Sequence, residues 1–218
     1  MKIHNFTIGP LETNAYLVVD EESRQALLID PGLGSEGIAD VIRDERLELA
    51  AIINTHGHFD HVCGNAFFKA KTGAPVLIHG DDAVIMRQAA EQALAFGFQV
   101  TTPPPPDRLL SEGDEVVVGE NRLRVLHTPG HTPGGICLYG HGVVFVGDAL
   151  FAGSIGRTDL PGGSTEVLLA SIRRKLLALP DETVVYPGHG PATTIGEERH
   201  HNPFLTGRGG ASLLFFDT

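Results

Sequence analysis

A chain of 218 residues, 42% hydrophobic and 20% charged, has ordinary globular composition and room for one domain with a sizeable core. Its formal net charge of -11 speaks against nucleic acid or an anionic membrane as partner, since both attract basic surfaces. Two cysteines, Cys63 and Cys137, make no disulfide framework, and no run is apolar for long enough to be a signal peptide or a bilayer span, so a soluble cytoplasmic protein is expected.

In chain order, 14–19 and 25–29 read as strands parted by the turn-like Asp20-Glu21-Glu22-Ser23. Asp30-Pro31-Gly32 ends the second strand, and a helix is predicted over 35–46, with Ser35 as N-cap and Ile38, Val41 and Ile42 on one face. Residues 49–53 read as a buried strand that feeds into Thr55-His56-Gly57-His58-Phe59-Asp60-His61, and a helix starting at Asp60 and His61 runs towards Lys71. A strand over 75–78 and a helix over 81–96 follow, with Gly97 as the stop. The prolines at 103–106 make a stiff surface loop inside the same domain, because composition is similar on either side. Strand patterning returns at 115–118, 122–126, 136–139 and 143–146. A helix over 165–179 carries Leu168, Leu169, Ile172 and Leu176 on one face, Pro180 stops it, and 183–186 is the last clear strand. The expectation is a single domain over 1–218, whose halves look alike in pattern without a sequence repeat.

The chemistry is concentrated in the 55–61 stretch. Three imidazoles and a carboxylate so close together are costly to bury unless hydrogen-bonded, paired or bound to metal. Imidazole and carboxylate are ligands that zinc prefers and that iron and manganese accept. Partners stand at the ends of other apolar strands: His131 after the strand ending at Leu126, Asp148 after 143–146, and His189 after the last strand. Loops at strand ends are where scaffolds place functional groups. The seven candidates, His56, His58, Asp60, His61, His131, Asp148 and His189, divide into two sets of three and one shared carboxylate. Asp148, with two oxygens, is the natural bridge. No serine or cysteine nucleophile is required, and Ser154 reads as a loop residue.

These motifs, in this order, resemble the metallo-β-lactamase-fold hydrolases over nearly the whole chain. The resemblance implies an αββα sandwich, an α/β fold of two mixed sheets packed face to face with helices outside. It implies two divalent ions per chain, zinc first and iron or manganese as alternatives, with His56, His58 and His131 on one, Asp60, His61 and His189 on the other, and Asp148 bridging. Within the superfamily, the 151–157 and 190–196 segments resemble compact glyoxalase-II-like (hydroxyacylglutathione hydrolase-like) proteins. The implied function is hydrolysis of a glutathione thioester such as S-D-lactoylglutathione by a hydroxide bridging the metals, with Asp60 orienting the hydroxide and Arg157 holding a glutathione carboxylate. Residues 190–218 are too few for the C-terminal helical domain of glyoxalase II, and Asp159 stands where glyoxalase II usually has an aromatic residue. The Arg157-Thr158-Asp159 run also resembles the persulfide dioxygenases, which bind one iron through two histidines and an aspartate. Those relatives usually have cysteine where Ile155 stands, which favours the hydrolase.

Other polar residues carry blander expectations. His127 reads as a strand-end histidine bonded to backbone and His79 as structural. His200 and His201 read as surface groups, and His4 and His141 as structural. Asn14 and Tyr16 are candidates to line the pocket mouth.

Overall fold

The computed structural model describes residues 1–207, so residues 208–218 of the expected domain lie outside the described residues. The chain opens as an antiparallel meander of β1 (Lys2–Ile8), β2 (Thr13–Val19) and β3 (Gln25–Ile29). Every residue of β2 is buried, as a strand covered on both faces requires. Helix α1 (Ile38–Asp44) crosses to β4 (Glu48–Ile53), and α2 (Phe59–Val62) with α3 (Asn65–Thr72) crosses to β5 (Val76–His79), which makes β3, β4 and β5 parallel. A 3-10 turn at Gly80–Asp82, α4 (Ala83–Arg87) and α5 (Ala89–Ala95) lead to β6 (Arg108–Leu110) at the edge of this six-stranded sheet.

The second sheet begins with antiparallel β7 (Glu115–Val118), β8 (Asn121–His127), β9 (Ile136–Gly140) and β10 (Val143–Gly147). A small hairpin, β11 (Leu150–Phe151) with β12 (Ser154–Ile155), and α6 (Thr165–Ser171) with a π turn over Ile172–Leu176 carry the chain to β13 (Val184–Pro187), parallel to β10. Then β14 (Thr193–Thr194) makes the far edge, followed by α7 (Ile195–His201) and α8 (Pro203–Thr206).

Three buried clusters define the layers. Leu17, Leu28 and Ile52 face Ile38, Phe59, Phe68 and Met86 from the helices outside the first sheet. Tyr16, Leu27, Ile29 and Ile53 face Val116, Leu123, Leu138 and Phe145 between the sheets. Val144, Val146 and Val185 face Leu168, Ile172, Leu176 and Ile195 outside the second. Alternate residues of one strand thus feed two different cores, as a period of two dictates, and the fold is the expected αββα sandwich.

The helices depart from their predicted spans for local reasons. Gly64 gives its N–H to the Pro31 carbonyl at 2.7 Å, so the helix expected from Asp60 towards Lys71 breaks there into α2 and α3. Helix α1 starts at Ile38 with Gly37 at its N-cap, and Ser35 supports it only by accepting the Ile38 N–H on its carbonyl. The 81–96 span divides at Gln88, and the 165–179 span turns from α to π at Ile172. Strand β1 lies at a sheet edge with a mostly exposed pattern, which is why its hydrophobic signal is weak.

The topology sets β3, β4 and β5 of one sheet and β8, β10 and β13 of the other with their C-terminal ends at one rim of the sandwich. The rim is stitched across: Ile136 N–H donates to the Thr55 carbonyl at 2.8 Å and Asn14 N–H to the Gly188 carbonyl at 2.7 Å.

Candidate metal centre

All seven candidate ligands meet at that rim. One ligand atom each of His56, His58 and His131 lies within 4.8 Å of the others, and the same holds for Asp60, His61 and His189. His58 Nδ1 and His131 Nε2 are 2.9 Å apart. His61 Nε2 and His189 Nε2 stand 3.3 and 3.2 Å from Asp60 Oδ2. Asp148 lies between the two sets, with Oδ1 3.5 Å from His61 Nε2 and Oδ2 3.6 Å from His131 Nε2 and 3.7 Å from His189 Nε2. The approach is close enough that Gly188 admits no side chain: a Cβ there would strike Asp148 Oδ1 and sit 2.8 Å from His61 Cε1.

The partner of each ring decides which nitrogen carries the proton. Asp30, a buried carboxylate just past β3, accepts Thr55 N–H at 2.7 Å and the Thr55 hydroxyl at 2.6 Å. The hydroxyl, its proton committed, accepts from His56 Nδ1 at 3.1 Å. His61 Nδ1 donates to Asp30 Oδ2 at 3.1 Å, His131 Nδ1 to the Arg157 carbonyl at 2.7 Å, and His189 Nδ1 to the Leu11 carbonyl at 3.1 Å. Four imidazoles therefore turn their Nε2 atoms inwards.

Three inward atoms are among the buried polar atoms left without partners. His56 Nε2, His61 Nε2 and Asp148 Oδ1 are buried and make no hydrogen bond, a cost that native structures rarely bear without a function. Nitrogen and carboxylate oxygen, with no thiolate, match zinc, iron or manganese. The residues fit a bound divalent ion in each set.

The two sets differ in how they hold protons. Burial, followed by the neighbouring His61, His131 and His58, drives His56 well below the ordinary imidazole value. Burial and His131 push His58 down to about 4. Burial acts the same way on His61, but Asp60 and Asp148 outweigh it and hold that ring well above its ordinary value; His189 is raised for the same reason. Burial pushes Asp60 up, yet His61 and His189 together hold it well below the usual carboxylate range.

The remaining sequence candidates fall into place around this centre. Arg157 forks onto Asp159, Nε to Oδ1 at 2.8 Å and Nη2 to Oδ2 at 2.7 Å, while its backbone carbonyl holds His131. Asn14 and Tyr16 are buried, not at a pocket mouth, and hold the loop that carries His189. Asn14 Nδ2 donates to the Pro187 and Gly190 carbonyls, and the Tyr16 hydroxyl donates to Pro187 at 2.6 Å. His127 donates to the Pro133 carbonyl at 2.9 Å, the backbone bond expected of it, and stacks on His79, and one ligand atom each of these two and Asp81 lies within 4.8 Å of the others. His4 faces Glu45, His141 accepts Arg122 N–H, and His200 and His201 are exposed. Burial pushes the Cys63 and Cys137 thiols up to about 12, which removes both as nucleophiles.

Sequence reading missed the carboxylates behind the ligands, Asp30 and Asp82. Asp30 sits in an Asp-Pro-Gly strand end and Asp82 in a helix start, and in both places Asp is common for local reasons.

Comparison with known proteins agrees with this geometry. A family model described as the metallo-beta-lactamase superfamily matches residues 8–189. Hydroxyacylglutathione hydrolase GloC of Haemophilus influenzae is 38% identical over 212 residues, 95% of this chain and 100% of that protein. The mitochondrial persulfide dioxygenase ETHE1 of Bos taurus is 35% identical over 201 residues, 89% of this chain and 72% of that protein. Among solved structures, BLEG-1 B3 metallo-beta-lactamase is 40% identical with a TM-score of 0.88, over 94% of this chain and 100% of that one. TTHA1623 in a di-iron-bound form is 44% identical with a TM-score of 0.85, over 93% and 100%.

Proposed function

This chain belongs to the metallo-beta-lactamase superfamily, and we propose that it is a binuclear metal-dependent hydrolase of glutathione thioesters such as S-D-lactoylglutathione. His56, His58 and His131 hold one ion, Asp60, His61 and His189 the other, and Asp148 bridges. The observation that carries the reading is the Asp148 carboxylate, which turns one oxygen to His61 and the other to His131. Zinc is the first choice for these donors, and the similarity to a di-iron-bound protein supports iron as an alternative.

Two such ions supply Lewis acidity at the thioester carbonyl and hydroxide near neutral pH. The residues do the positioning. Asp60, held low enough to stay ionised, accepts a hydrogen bond from the attacking water and orients it. The bonds of His61 to a carboxylate, of His131 and His189 to carbonyls and of His56 to the Thr55 hydroxyl keep four rings aimed inwards before substrate arrives. Hydrolysis forms a C–O bond at the acyl carbon and breaks the C–S bond, leaving a carboxylic acid and the glutathione thiol. Arg157 takes a glutathione carboxylate by exchanging it for Asp159.

Glutathione as the carrier is supported by the similarity to GloC, matched over its full length. The similarity to ETHE1 keeps a second reading in view, a mononuclear iron enzyme acting on glutathione persulfide. Metal analysis alongside two assays separates them. About two ions per zinc-saturated chain, with hydrolysis of S-D-lactoylglutathione and no oxygen uptake, is the expected result. One iron that added metal cannot raise, with oxygen consumed on glutathione persulfide, would replace the hydrolase by the dioxygenase. Faster hydrolysis of a β-lactam than of any thioester would overturn the substrate class.

A further inference from the structure

We infer that Asp82 is a positioning residue for one half of the metal centre: it clamps the His56–His58 turn of one sheet to the His131 loop of the other and so sets metal affinity in that half alone. The inference rests on the two ligand sets proposed above and not on the substrate.

Asp82 is fully buried at the end of the 3-10 turn that follows β5. Its Oδ2 accepts the N–H of Gly57, the residue between His56 and His58, at 2.8 Å. Its Oδ1 accepts the N–H of Gly134, three residues past His131, at 2.6 Å. One carboxylate thus spans the seam between the sheets, tying together the two loops whose rings, His58 and His131, approach to 2.9 Å. N–H bonds to an ionised carboxylate are shorter and about twice as strong as neutral ones. Both glycines are required by the closeness of the approach. A Cβ at Gly134 would lie 2.6 Å from Asp82 N and Oδ1, and one at Gly57 would lie 2.7 Å from the Asp82 carbonyl oxygen. The same turn is braced on its other side, where His79 stacks on His127 with ring centroids 4.2 Å apart and His127 holds the Pro133 carbonyl.

The second set is oriented by different groups: Asp30 for His61, the Leu11 carbonyl for His189, and the Thr13 hydroxyl for Asp60. None of these bonds passes through Asp82. Loss of the clamp should therefore loosen one ion and spare the other, whereas a general destabilisation would weaken both.

Asp82→Asn keeps the shape and turns one acceptor into a donor facing a peptide N–H. Zinc affinity is measured by chelator competition in two backgrounds, His189→Ala, which breaks the second set, and His131→Ala, which breaks the first. The expected result is a ten- to hundred-fold weakening in the His189→Ala background, the usual effect of removing an outer hydrogen-bond partner. In the His131→Ala background the change should stay within about twofold, because the two bonds of Asp82 go to the loops of the first set alone. Gly134→Ala, which pushes on the same bond from the opposite loop, should reproduce the pattern and serves if Asp82→Asn fails to fold. Equal weakening in both backgrounds, or none in either, would overturn the clamp. A His189→Ala protein that binds no zinc at all would overturn the ligand sets, and the clamp with them.

Discussion

Asp30→Asn should reverse the protons on two ligands while leaving the shape of the core unchanged. Asp30 accepts from Thr55 N–H, from the Thr55 hydroxyl and from His61 Nδ1. An amide offers one acceptor oxygen in place of two. With that oxygen on Thr55 N–H, the NH2 group faces the Thr55 hydroxyl and His61 Nδ1. The hydroxyl then accepts from the amide and turns its own proton to His56 Nδ1, 3.1 Å away. His56 moves its proton to Nε2, and His61, to avoid opposing an N–H with an N–H, does the same. Each set thereby has a proton where it needs a lone pair. Loss of such an outer partner typically weakens binding ten- to hundred-fold, about 1.4–2.8 kcal/mol per ion. If the amide turns the other way it opposes Thr55 N–H, and the cost of about 1–3 kcal/mol falls on folding instead. Zinc competition on the variant, with urea unfolding of the metal-free protein beside it, reads both outcomes. Parental affinity in both sets together with parental stability would refute the proton routing.

Asp148→Ala should lose both metal occupancy and turnover, because its two oxygens face His61 Nε2 of one set and His131 Nε2 of the other; metal analysis finding two ions and near-parental thioesterase activity would remove Asp148 from the bridge. Arg157→Ala leaves the carbonyl on His131 in place, so it should raise KM for a glutathione thioester with kcat nearly unchanged. A simple thioester without the glutathione carboxylates should be unaffected, and equal losses on both substrates would sink the carboxylate-binding role. Acid should empty the two sets in order. His61 and His189 have raised values and take up protons before pH falls to the ordinary imidazole value of about 6.5, so the ion of their set leaves first. Burial and neighbouring rings hold His56 and His58 low, His58 at about 4, so their ion should stay to lower pH than that of the other set. Metal retained per chain after dialysis at stepped pH tests this, and simultaneous loss of both ions would contradict it.

How much of this is legible in the sequence depends on where the signal resides. The ligands are legible because three imidazoles and a carboxylate at the end of an apolar strand have no packing explanation, and the strands are legible because they must be apolar on two faces. The partners that aim the ligands are not. The carbonyls of Leu11 and Arg157 act through backbone, which any residue provides, and Asp30 and Asp82 look like ordinary turn and helix-start residues until the chain folds around them. Arg157 shows the same limit from the other side. Its charge is visible in the sequence, but its state is not: the guanidinium already gives Nε–H and one Nη2–H to the Asp159 carboxylate, held down to about 2 by that bond. Where the glyoxalase-II-like pattern has an aromatic residue, this chain has a competitor for the same fork. On the proposed role, a substrate carboxylate would take this fork only in exchange for Asp159, so selectivity there would rest on the difference between two carboxylates. Asp159 is exposed and regains water when released, so the exchange would run towards substrate only where the substrate gains further contacts in the site.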